Sequence, residues 1–124
     1  MKGLLALFAL LFSVAAVAHG DHDPKYGGII GHSSDEVIVE LVVEDGAVFL
    51  YIEEETGTPI PSAKVSGTLT LIPAQRPRQE AKLVPAGGNK LAAPGLKPSR
   101  GDRLRAYIRL PNGDELSSSF LFAR

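Results

Sequence analysis

The chain reads as an all-β protein, an immunoglobulin-like β-sandwich of six to seven short antiparallel strands preceded by a cleaved signal peptide. Three observations predict this. From Asp35 onward, apolar and polar residues alternate in short runs with the period of two that a half-buried strand requires. Turn residues break these runs about every ten residues, the spacing of a sandwich rather than of βαβ units. The first eighteen residues, MKGLLALFALLFSVAAVA, place one lysine before an apolar run that ends in Ala16-Val17-Ala18, the pattern of an export signal. That run falls short of the roughly 20 residues needed to span a bilayer. The organisation is therefore a signal peptide at 1–18, a His/Asp/Gly-rich leader at 19–34 and a β-sandwich at 35–124.

The elements follow in order. GGII, residues 27–30, offers a short edge strand. In EVIVELVVE, residues 36–44, Val37, Val39, Leu41 and Val43 share one side, and Ile38 and Val42 share the other with three glutamates. Asp45-Gly46 is a two-residue hairpin signal. AVFLYIEEE sets Val48, Leu50 and Ile52 against Phe49 and Tyr51, and TGTPIPS is a turn-rich connection. AKVSGTLTLI turns Ala63, Val65, Gly67, Leu69 and Leu71 inward. RQEAKLV is a weaker strand, PAGGN a turn and KLAA a short strand. RLRAYIRL alternates Leu104, Ala106, Ile108 and Leu110 with Arg103, Arg105, Tyr107 and Arg109. After the Asn-Gly turn of PNGD, ELSSSFLFA aligns Leu116, Ser118, Phe120 and Phe122. The Cys…Trp…Cys core of antibody domains is absent, which leaves the exact topology open.

Composition excludes several function classes. Losing 18 of 124 residues leaves 106, enough for one domain with a modest core. The mature chain carries 12 basic residues against 14 acidic ones once Lys2 is removed, with no sustained basic patch, which argues against nucleic acid. Cysteine is absent and the one methionine is Met1, so the mature chain has no sulfur ligand for Cu(I) or an iron–sulfur cluster. Any transition-metal site must use imidazole, carboxylate or backbone nitrogen. No nucleophile motif is present, and the adjacent Ser, His and Asp of HSSD, residues 32–35, lack the separation from which triads are assembled. The expectation is a non-enzymatic protein.

All three histidines lie near the predicted cleavage point, in HGDHDPKYGGIIGH. Cleavage after Ala18 makes His19 the first residue, whose amine and imidazole close a chelate ring on one metal. His22 or His32, with Asp21 or Asp23, completes an N,O set suited to Cu(II) or Ni(II), and Zn(II) accepts the same donors. Cleavage after Ala16 instead puts His19 third, offering amine, two amides and imidazole to a square-planar ion. A solvated polar leader accounts for the same residues without metal. Glu53-Glu54-Glu55 lacks calcium-loop spacing and reads as a solvated hairpin end. Arg103, Arg105 and Arg109 share a face with Tyr107, which is either an ordinary wet strand face or a docking surface for an envelope protein.

Four motifs carry a resemblance: the histidine-aspartate start, Lys25-Tyr26-Gly27-Gly28, the Gly57-x-Pro59-x-Pro61 hairpin and Pro85-Ala86-Gly87-Gly88-Asn89. Together they resemble a group of small exported bacterial proteins of uncharacterised function, often encoded beside copper and heavy-metal efflux systems. The resemblance implies a soluble periplasmic protein in metal handling, with an efflux component as a possible partner. Members read Lys-His-Gly-Gly where this chain has Tyr26, a departure that removes one imidazole.

Overall fold

The computed structural model describes residues 22–33 and 36–123, so the signal sequence expected at 1–18 lies outside the described residues. Among these residues strand propensity and alternation produce nine strands: β1 (Ile29–Ile30), β2 (Val37–Glu44), β3 (Ala47–Glu54), β4 (Ser66–Ile72), β5 (Gln79–Lys82), β6 (Val84–Pro85), β7 (Lys90–Ala93), β8 (Arg103–Arg109) and β9 (Glu115–Leu121). They form two antiparallel sheets. Sheet A has the order β1-β2-β3-β7-β6 and sheet B the order β5-β4-β8-β9. No helix among the described residues is long and apolar enough to cross a membrane.

Local chemistry sets the register. Asp45 and Gly46 both take positive φ, 50° and 80°, the conformation that lets a two-residue turn match the twist of its flanking strands. Glu44 therefore pairs with Ala47, and Val39, Leu41, Val48, Leu50 and Ile52 all face inward. Across from them lie Leu69 and Leu71 of β4, Leu104, Ala106 and Ile108 of β8, and Leu116 and Phe120 of β9. At the other end of the β8–β9 hairpin the loop has three residues, and Gly113 at φ 94° lets Leu110 and Asp114 remain paired.

Nine strands replace the expected six to seven for two physical reasons. GGII does add an edge strand, Ile29 and Ile30 pairing with Leu41 and Glu40. RQEAKLV, one strand by pattern, is two: β5 pairs with β4 in sheet B, and β6 pairs with β7 in sheet A. The chain changes sheets at Leu83, which is buried and donates its N–H to Gly67.

Two inward positions are also corrected. Ala63 lies exposed in a 3-10 turn, Ser62–Lys64, whose buried member is Ser62. Val43, near the end of β2, is exposed, whereas Val42 on the opposite side is buried because residues 25–28 run over that outer face. This N-terminal strap pairs with β2 and then crosses to sheet B, where His32 and Ser119 exchange main-chain hydrogen bonds of 2.9 and 3.1 Å.

At two of its glycines the strap lies so close that there is no room for a side chain. A Cβ on Gly28 would stand 2.1 Å from the Leu41 carbonyl oxygen, and one on Gly31 would stand 2.1 Å from Ser118 Oγ. Backbone cannot yield as a flexible side chain does. Gly28→Ala is expected to cost about 1–3 kcal/mol through this overpacking, read as a lower urea midpoint with selective loss of amide protection in β1.

Candidate functional site at the anchored N-terminal segment

Of the residues proposed as metal ligands, His19 and Asp21 lie outside the described residues. His22 is half-buried, and Asp23 and His32 are exposed. Among the described residues no group of three or more His, Asp, Glu or Cys side chains is arranged to hold a metal ion. The fold does fix the backbone of His32 on the β9 edge. What it builds in detail is the anchor immediately after Asp23.

Glu40 is the pivot. It lies in the middle of β2, on the outer face of sheet A, yet is only 3 % exposed. Its Oε1 accepts the N–H of Lys25 at 2.8 Å, and its Oε2 accepts those of Tyr26 at 2.9 Å and Gly28 at 2.8 Å. Three backbone dipoles thus converge on one carboxylate, replacing the water it has lost. Gly27, at φ 76°, supplies the left-handed turn in the segment that brings these N–H groups together.

A second outer-face acid completes the anchor. Glu53 is 5 % exposed and accepts Lys25 Nζ at 3.0 Å, with the Tyr26 hydroxyl 3.4 Å away. Lys25 Nζ also reaches the Gly57 carbonyl oxygen at 3.3 Å. The Tyr26 ring stacks on Tyr51, centroids 3.9 Å apart and planes 8° from parallel. Asn89 Nδ2 donates to the Ile52 carbonyl at 3.0 Å and lies 3.5 Å from the Tyr26 hydroxyl. Beyond Tyr51, Lys90 Nζ sits 4.1 Å above the Phe49 ring and bonds Glu44 at 3.2 Å.

Three of the four motifs singled out in the sequence meet here: Lys25–Gly28, Gly57 and Asn89. The residues that sequence reasoning missed are Glu40, Glu53, Tyr51 and Asn89 as partners of the strap. One signal was present, a glutamate set between Val39 and Leu41 in an otherwise apolar run. Glu53, grouped with Glu54 and Glu55 as a solvated hairpin end, is instead buried and paired.

Electrostatics follows from these contacts. The Lys25 amine is raised above its ordinary range, chiefly by the hydrogen bond to Glu53; desolvation opposes this, and the charge of Glu53 adds to it. The Lys90 amine is raised by its hydrogen bond to Glu44 and then by Tyr51. The chain matches no protein-family model, no curated protein and no solved structure.

Two predictions test the anchor. Glu40→Ala strips the acceptor from three N–H groups and is expected to cost about 3 kcal/mol, with faster hydrogen exchange at the Lys25, Tyr26 and Gly28 amides. Glu40→Gln, which keeps one carbonyl oxygen, should fall between. For Lys25, a raised folded pKa means that its contribution is complete below about 10.4, the ordinary lysine value, and is lost as pH rises through the folded value. The stability difference between the wild type and Lys25→Met should therefore be constant near neutrality and vanish in strong alkali, as read from urea midpoints.

Proposed function

We propose that the protein is a non-enzymatic, exported accessory protein that binds or buffers a divalent transition metal, with Cu(II) favoured and Zn(II) or Ni(II) as alternatives. The signal-like residues 1–18 and the motif resemblance support a soluble periplasmic or secreted location. His19 is the primary ligand through its amine and imidazole, His22 the second, and Asp21 or Asp23 the oxygen donor. His32, held at the β9 edge, joins only if the leader folds back. The sandwich is read as immunoglobulin-like because its first segment pairs with one sheet and then with the other.

The observation that carries this reading is the anchor. Three hydrogen bonds to Glu40 fix the chain two residues after Asp23. The six residues from His19 to Pro24 therefore stay within about 20 Å of a rigid point, which lowers the entropy lost when they close around an ion. Glu53 lies beside that point and takes up the charge of Lys25, which would otherwise oppose a cation at the leader.

A second reading, an interaction module of the cell envelope, is favoured by the bare arginine and tyrosine face of sheet B. The two separate experimentally. Protein exported and processed from its own signal, with its terminus fixed by intact mass, is titrated with Cu(II). Stoichiometric binding with submicromolar affinity, abolished by His19→Ala and weakened as pH falls through about 6.5, is the expected result. Weak binding indifferent to His19 overturns the metal reading.

A further inference from the structure

The outer faces of the two sheets differ. The face of sheet A is covered by the strap and its aromatic row, whereas that of sheet B carries only its own side chains among the described residues. Its centre is read from strand pairing. Thr68 of β4 and Ser117 of β9 flank Tyr107, and Thr70 and Ser119 flank Arg105. Tyr107 is 49 % exposed. Arg103, Arg105 and Lys82 are exposed and have no ion-pair partner among the described residues, whereas Arg109 is occupied by Glu115 and Arg76 by Asp102. Glu80, beyond Thr70 on β5, is the acid of the central rows. Beside Tyr107 runs an open groove of about 750 Å³, whose polar lining is Ser66, Thr68, Ser117 and the Arg109–Glu115 ion pair.

We infer that this face binds an acidic polysaccharide, a chain of sugars bearing carboxylates. The inference rests on the interaction reading above and not on the metal reading. Its argument is charge and hydroxyl complementarity. The free arginines stand on alternate residues of one strand, their Cα atoms about 7 Å apart, and each offers a planar fork that pairs with a carboxylate through two hydrogen bonds. The serine and threonine hydroxyls both donate and accept, as dense sugar hydroxyls require. An exposed tyrosine ring gives a flat apolar platform for a sugar ring, and the groove beside it gives that ring a seat. A membrane surface fits less well, because polybasic lipid sites gather four to eight cations and three are free here. An acidic peptide fits less well too, since peptides engage sheet edges or side-chain pockets, and this is an open sheet face.

The test is calorimetric titration of the exported, processed protein with oligoguluronate, at low and at physiological salt, with dextran, poly-L-glutamate and anionic phospholipid vesicles as comparators. Oligoguluronate is expected to bind, more weakly as salt rises, while dextran does not. Arg105→Ser and Tyr107→Ser should each weaken binding by about tenfold, the loss of one bidentate pair or one ring contact. Both side chains are exposed, so melting temperatures should hold, and His19→Ala should leave glycan binding unchanged. Absence of oligoguluronate binding at low salt overturns the inference, as does full binding by both face variants. Equal capture of poly-L-glutamate overturns the glycan while leaving a protein-interaction role in place. Capture by the vesicles alone overturns it in favour of a lipid surface.

Discussion

One carboxylate on the wrong side of a sheet organises this molecule. Glu40 belongs to the outer face of β2, where solvent would ordinarily hydrate it, and the chain instead covers it with its own N-terminal segment. A buried carboxylate is costly unless every lone pair is met. Three N–H groups meet it here, all from residues 25 to 28. The dependence runs both ways. Without the strap, Glu40 and Glu53 lose their partners, and Val42 and Tyr51 lose their cover. Without Glu40, the strap has few apolar side chains to hold it in place. Such an acid contributes less to net stability than to fixing one arrangement among several, here the path of the chain from the leader to β2.

That path also joins the two sheets. β1 hydrogen-bonds to β2, and two residues later His32 bonds to Ser119 of β9, so one short segment belongs to both layers. The crossing demands close approach, which is why Gly28 and Gly31 stand where the strap meets the Leu41 carbonyl and the Ser118 hydroxyl. The loops are tied differently. The buried Asp102 accepts both Arg76 and the Ser99 N–H, holding the β4–β5 and β7–β8 connections together.

The inner face was legible because alternation is a local property. Val39, Leu41, Leu50, Leu69, Leu104, Ile108 and Phe120 announce their direction through their neighbours alone. The outer face of sheet A was not, because its burial comes from a segment far away in the chain. Glu40 reads as polar and outward, and its direction is right, but what covers it is set by residues 25 to 28, which have no periodicity. Val42 and Val43 exchange burial for the same reason. Leu83 shows the remaining limit. A run that alternates throughout gives no sign that its hydrogen-bond partners change sheets midway, since that depends on where β4 and β7 lie. The motifs Lys25–Gly28, Gly57-x-Pro59 and Asn89 were visible as motifs. Their meeting at one point on sheet A was beyond a one-dimensional reading.

The same geometry gives the histidine-aspartate leader a particular mechanical setting. The residues proposed above as metal ligands precede Lys25, where the chain is held by hydrogen bonds to Glu40 that need no ion. Lys25 is itself committed to Glu53 and Gly57, so the ammonium that would repel a cation beside Asp23 is turned toward the sheet and neutralised there. The anchor thus commits a nearby positive charge to the sheet. The anchor lies on the outer face of sheet A and the arginines on that of sheet B, so the metal site proposed for the leader and the glycan site proposed for sheet B draw on different side chains.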